Sequence, residues 1–419
     1  MKILTMLLMF FTLANVQAMD VKGFNLTEDG TFEFDANLTG DQKTEAQIAV
    51  DHVKRLGTNH VVLNVRAKMV GPKSVDIIPL TGSGPVAQEA RKITNLIKYI
   101  HSLNMTVGIR PIFFVLGPNG EFPYSEIQPD GSSKAWWHGN IQPHDPDRWF
   151  DNFQLYLDRY ITIARLAKVE EFTIGAELYS MTVGIEDQWK AHPHGFPGRW
   201  NQLLKYVRGK LGAKVRIMYD INFTDDTDTS TDISRSGGEL ERWRYRLVDL
   251  AESNDESQRK IWAELLEFWN GLDAIGVDMY RSLAFKNDVI PASKEKLVKL
   301  LSERALTYAN QLDVTLLEIS IYSGGMKPVI LKEVGFRSVE NTFIDPFTYA
   351  TALGALNIAH QAAGYEALFN GFAGPGFEWF SGFAFWDIPL SPGHHGPEDR
   401  GFSPIGKVET EEVIKKFFK

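Results

Sequence analysis

The 419-residue sequence contains no cysteine. That removes disulfides, thiol nucleophiles and thiolate metal sites together, and with them the lipidated cysteine of a lipoprotein anchor. Positive charge is also in short supply. Forty-four Lys and Arg stand against 53 Asp and Glu, and the formal net charge of −9 comes with no dense basic patch. Nucleic acid is not expected as a partner on that ground. No apolar stretch makes a convincing membrane span. No G-x-S-x-G closes a strand, so serine hydrolase chemistry has no candidate. The Gly-Ser-Gly at Gly82 lacks both the P-loop lysine and the dinucleotide spacing. Internal repeats and low-complexity linkers are missing too, and a second domain is not required.

What is present is a large supply of core. With 44% hydrophobic and 23% charged residues, the chain suits one barrel of about 250 residues with elaborations, or two smaller domains. Ten Trp, 13 Tyr and 27 Phe supply rings that could stack on sugars, although most of them belong to the core. Residues 1–18 are set apart. Lys2 gives a short positive start, Ile3 to Val16 is apolar, and Val16-Gln17-Ala18 offers small residues where a signal peptidase reads. Cleavage after Ala18 and export are expected, to the periplasm or the medium.

From Val21 onward, apolar strand-like runs alternate with amphipathic helical stretches. The strand candidates begin at Val21, His60, Thr106, Glu171, Val215, Leu272, Pro328 and Gly382. Helical patterns precede Asn104 and follow Asp147, Gly198 and Pro291. Eight strands with helices between them predict an α/β fold, the (β/α)8 TIM barrel, over residues 19–419. The interval after the fifth strand, Thr224 to Arg259, is long and polar; it predicts an acidic loop and extra helical material on the catalytic face.

Two strand candidates end alike. Pro328-Val329-Ile330-Leu331-Lys332 runs into Glu333, and Phe172-Thr173-Ile174 runs through Gly175 and Ala176 into Glu177. A buried parallel strand that ends on an acid presents it at the mouth of the barrel, where active sites form. Two such acids on opposed strands suggest the paired carboxylates of glycoside hydrolysis. The plainer alternative is a pair of strand-end carboxylates that bind arginines or helix N-termini. Retention of configuration needs the two carboxyls about 5–5.5 Å apart. Burial and the partner's charge are expected to raise the pKa of the acid/base member.

Several residues could support such a site. Tyr280 ends the sixth strand and could orient a carboxylate, or simply pack at the rim. Trp386, ending the eighth, is a candidate sugar platform. Arg110 on the third could keep a catalytic carboxylate ionised, or pair structurally with an acid in the barrel mouth. Trp136, Trp137, His138 and Asn140 are candidates to line a subsite, and Asp278 could tune Tyr280. Metal readings are weak. His394-His395 with Glu398 and Asp399 lacks a spaced helical pair, and Asp225, Asp226, Asp228 and Asp232 lack the EF-hand glycine and terminal glutamate. No cofactor is expected.

Beyond single residues, a series of segments resembles glycoside hydrolase family 113, whose characterised members are retaining β-mannanases on clan A barrels. In order they are KGFNL at Lys22, WHGNIQP at Trp137, WF at Trp149, IGAEL at Ile174, FWNGLDAIGVDMY at Phe268, PVILKEVGFRS at Pro328, FWDI at Phe385 and GFSPIGK at Gly401. The PVILKEVGFRS and GFSPIGK pair is the specific part. The resemblance implies Glu177 as acid/base, Glu333 as nucleophile and a carbohydrate substrate, β-mannan before other β-glycans. Clan A enzymes often place Asn before the acid/base; here Ala176 stands there, and Asn222 on the fifth strand is the candidate replacement. A catalytically silent sugar-binding barrel is the alternative from a different class.

Overall fold

The computed structural model describes residues 19–80, 85–128, 130–186, 188–224 and 238–419. The expected export segment 1–18, the Gly-Ser-Gly at Gly82 and the aspartates between 225 and 232 lie outside them.

Eight parallel strands close into a barrel. They are β1 (Val21–Thr27), β2 (His60–Val70), β3 (Thr106–Leu116), β4 (Glu171–Ala176), β5 (Arg216–Phe223), β6 (Ala274–Met279), β7 (Val329–Glu333) and β8 (Phe380–Pro389). Neighbours in sequence are neighbours in the sheet. Closure is made by β1, which pairs with β2 from Gly23↔His60 and with β8 from Val21↔Gly382. Each strand begins within two residues of its expected position. β8 starts at Phe380, two residues before the expected Gly382.

Helices follow the strands in turn: α1 (Glu45–Arg55), α2 (Val86–Ser102), α3 (Pro146–Ala167), α4 (Pro197–Leu211), α5 (Glu256–Gly271), α6 (Lys294–Ser323), α7 (Ile358–Leu368) and α8 (Val408–Phe418). Their ends obey local chemistry. Thr44 and Gln47 form a reciprocal capping box at α1. Asp145 caps α3 through the Arg148 amide, with Pro146 in the first turn. Between β5 and α5 the extra helical material is present, as a short helix Glu239–Arg244 continued by a wide turn to Asp249.

The helices pack against the outward face of the barrel in one large aromatic and aliphatic core. The inward face is different. Its lower part is a small apolar set, Val21, Val62, Met218, Ala274, Ile330 and Ala384. Polar side chains fill the rest: Asn25, Asn64, Arg110, Asp220 and Asp278 are all buried and linked by hydrogen bonds. Room for them comes from missing side chains. A Cβ at Gly276 would stand 2.0 Å from Asp220 Oδ1, so glycine there is what admits the aspartate.

Candidate active site

Glu177 follows β4 directly and takes a left-handed backbone, φ +55°. A non-glycine residue persists there only when its surroundings hold it. Two bonds do so. Its amide donates to the Asp220 carbonyl at 2.8 Å, and the next amide, Leu178, donates to the Tyr219 hydroxyl at 2.9 Å. The carboxylate then receives Asn222 Nδ2 on Oε1 at 2.6 Å and meets His138 Nε2 at Oε2, 2.9 Å away.

Glu333 ends β7. Arg110 Nη1 donates to its Oε1, and the Tyr280 hydroxyl donates to its Oε2 at 3.0 Å. The guanidinium of Arg110 is 1% exposed and serves three acids at once: Nε to Asp220 at 2.6 Å, Nη2 to Asp278 at 2.6 Å, and Nη1 to Glu333. Nη1 also reaches Asn64 Oδ1 at 3.2 Å. One positive charge among three carboxylates cannot keep all of them ionised in a buried space. Burial pushes Asp220 up to about 6 against the pull of Arg110, and it pushes Asp278 well above the ordinary range. Each aspartate gives one oxygen to Arg110 while the other finds no hydrogen-bond partner among the described residues.

The two glutamates shift in opposite directions, and Glu177 goes against the rise expected of the acid/base. Burial pushes Glu333 up, and the Glu177 charge adds to this, against Arg110 and Tyr280. Burial pushes Glu177 up as well, but the His138 contact, the Asn222 hydrogen bond and the Arg110 charge outweigh it, and its carboxyl lies below the usual value. The physical reason is His138. Placed in sequence as a subsite candidate, it touches the acid itself.

The other candidates fall into two groups. Trp386 is half-buried on the rim, its amide donating to the carbonyl of Val334, the neighbour of Glu333, at 3.0 Å. The Trp386–Asp387 peptide is cis. Trp137 is half-buried with its ring 4.9 Å from His138 and 5.5 Å from Tyr179. The mouth therefore gathers Glu177, Glu333, Arg110, Tyr280, Asn222, His138, Trp137 and Trp386. Trp136 and Asn140 go to structure instead. Trp136 is buried, donating to Glu126 at 2.8 Å beneath Lys134, and Asn140 accepts from the Trp137 amide at 3.0 Å. In the loop after β8, His395 bonds Ser403 and Asp399 pairs with Lys407.

Asn222 gives both its donated bonds to protein, to Glu177 and to Thr224 Oγ1 at 3.1 Å, so its amide group holds the acid. Sequence reasoning missed Asn64, Asp220, Asp387 and Glu239. The first two carried a signal, a lone polar residue inside an apolar strand at VVLNV and IMYDI. Asp387 accepts from Thr27 Oγ1 at 2.7 Å, and burial pushes it up to about 6.

Two strand-end glutamates, each on its own set of donors, thus stand at the barrel mouth, and the comparisons with known proteins give the class: the protein is a glycoside hydrolase. The sequence model of glycoside hydrolase family 113 matches residues 31–237, just under half of the chain. Glu177 lies inside that match and Glu333 beyond it. The fold extends the likeness over the chain. A GH113 β-mannanase from Alicyclobacillus acidocaldarius superposes with a TM-score of 0.61 at 18% identity, covering 96% of this chain and 98% of that one. A GH113 β-1,4-mannanase gives 0.58 at 18% identity, covering 96% and 99%. A family 5 mannosidase from Rhizomucor miehei gives 0.51 at 11% identity, covering 96% and 92%. No curated protein matches the chain.

Proposed function

We propose that the protein is a retaining β-mannanase working by double displacement, with Glu333 as nucleophile and Glu177 as acid/base. The observation that carries the roles is the difference in what holds each acid. Glu333 is fixed by Arg110 and Tyr280, a cation and a phenol that orient a carboxylate and favour its charge. Glu177 faces His138, a group able to exchange a proton with it.

In the first step a Glu333 oxygen forms a bond to the anomeric carbon while the glycosidic bond breaks, its electron pair staying on the leaving oxygen. Glu177 supplies the proton. In the second step Glu177 takes a proton from water, the water oxygen attacks the anomeric carbon, and Glu333 leaves. Trp386 and Trp137 are the rings we assign to stacking on sugars.

The mannan assignment draws on the family and on what the similar solved proteins are named for. Export after cleavage at Ala18 is part of the same proposal, and N-terminal sequencing of protein recovered outside the cytoplasm checks it. The test of function is a panel of mannan, glucomannan, glucan, xylan and galactan, assayed with the mature protein and with Glu333→Gln. Mannan cleavage that disappears in the variant supports substrate and nucleophile together. Preference for another glycan overturns the substrate and leaves the chemistry, whereas activity retained by Glu333→Gln overturns the nucleophile.

A further inference from the structure

Glu239 lies in the interval between β5 and α5, beyond the stretch matched to the family, and it is 1% exposed. No ion pair joins it to a cation among the described residues; what it collects are uncharged donors. Its Oε1 accepts from the Tyr219 hydroxyl at 2.8 Å, the Trp243 indole at 3.0 Å and the Thr182 hydroxyl at 3.3 Å. Its Oε2 accepts from the Asn222 amide at 3.2 Å. A buried acid that neutral groups surround and no cation balances is costly to keep, and such a group is retained where it fixes geometry.

Two of these partners continue to Glu177. Asn222 takes Glu239 on its backbone amide and gives its side-chain amide to Glu177 Oε1. Tyr219 gives its hydroxyl proton to Glu239 and accepts from Leu178, whose amide fixes the backbone just after the left-handed Glu177. One chain therefore sets the Glu177 carboxylate and the other its main chain. The approach is built in. Gly238, at φ +62°, has Asn222 Oδ1 only 2.3 Å from where a Cβ would sit, so a residue with a side chain there would drive the short helix off Asn222.

We propose that Glu239 is a positioning residue for the acid/base, holding Asn222 and Tyr219 so that Glu177 is aimed at the glycosidic oxygen. The proposal rests on Glu177 being the acid/base. It makes the segment after β5 part of the catalytic apparatus, reaching the acid from behind rather than through substrate.

A merely structural residue would slow all substrates alike, so the readout is the dependence of rate on leaving group. Glu239→Ala and Glu239→Gln are compared with Glu177→Ala on mannan and on an aryl β-mannoside with a dinitrophenolate leaving group. Glu177→Ala is expected to lose far more on mannan than on the aryl substrate. Glu239→Ala should show the same split in reduced form, about 10–100-fold lower kcat on mannan, a part of what general acid catalysis supplies. Its rate on the dinitrophenyl substrate should stay within about threefold, the proton transfer being dispensable there. Glu239→Gln, which keeps an acceptor oxygen and the shape, should recover part of the mannan rate.

If Glu177→Ala splits the substrates and Glu239→Ala slows both equally, the positioning role is overturned and the acid/base reading stands. If Glu177→Ala itself shows no split, both fall. Should Glu239→Ala fail to fold, Tyr219→Phe breaks one of the two chains alone, and an unsplit rate loss there overturns the proposal as well.

Discussion

Arg110 is where the site's electrostatics converge. Its guanidinium is fully enclosed and balances Asp220, Asp278 and Glu333. Removing it leaves buried carboxylates without a cation, which typically costs about 3–5 kcal/mol. Arg110→Met should therefore both abolish turnover and lower the melting temperature. An inactive variant that melts like the parent would assign Arg110 to catalysis without the structural share. Tyr280 is a cleaner probe because only its hydroxyl touches Glu333. A hydrogen bond to a charged group contributes about 1.5–3 kcal/mol, so Tyr280→Phe should reduce kcat roughly 10–100-fold with stability little changed. A kcat within twofold of the parent would show that Arg110 alone orients the carboxylate.

At this scale the sequence was partly legible. Glu177 and Glu333 stood out because a carboxylate ending an apolar strand has no packing reason to be there. His138 did not reveal its role, since the loop after β3 brings it to Glu177 across 39 positions. Glu239 was hidden for the same reason. Nothing local marks a glutamate in a polar stretch as a buried acid.

Among the elements, the strands were the easiest to read. Each is a mostly apolar run, as expected of parallel strands buried on both faces, broken by polar residues such as Asn64 and Asp220 that face the barrel interior. The helices divide by their pattern. α2, α3 and α4 have apolar stripes, and their sequence positions nearly coincide with the structure. α7 is apolar nearly all round, with Ala362, Ala363, Tyr365, Ala367 and Leu368 buried, so it has no stripe to detect. α6 runs on to Ser323 because nothing breaks it before Gly324 takes a left-handed turn. α1 was missed although its capping box, Thr44 to Gln47, is a usable start signal.

α8 also escaped notice, yet it ties the barrel's end to its beginning. Phe418 is buried against Phe24 of β1 at 6.1 Å, Phe385 of β8 at 5.9 Å and Phe369 at 5.7 Å. Truncating a core Phe typically costs about 3–5 kcal/mol. Phe418→Ala should therefore lower the melting temperature markedly while the folded enzyme keeps its kcat. Unchanged stability would mean that the last turn is not part of the closure.

Over the whole molecule, buried acids give stability a pH dependence. In the folded state burial raises Glu239 to about 8 and Asp220 to about 6, both above their ordinary values. Between the ordinary and the raised values the folded protein binds more protons than the unfolded chain. Stability is then greatest at the acid side of that window and falls as pH rises through it. For Glu239 the window runs from about 4.5 to about 8. Melting temperatures measured from pH 5 to 8 should decline, and Glu239→Gln should flatten the decline. A variant profile parallel to that of the parent would show that Glu239 does not change its proton on unfolding.

The central claim is that Glu333 bonds covalently to the sugar, and trapping tests it most directly. The protein is treated with 2-deoxy-2-fluoro-β-mannosyl fluoride, whose 2-fluorine slows both displacements while the anomeric fluoride leaving group keeps the first fast enough for the intermediate to accumulate. Digestion and peptide mass mapping then locate the label. One sugar per chain, on the peptide carrying Glu333 and absent from Glu333→Gln, is the predicted result. A label on any other residue, or steady turnover with inverted product and no label, would contradict it.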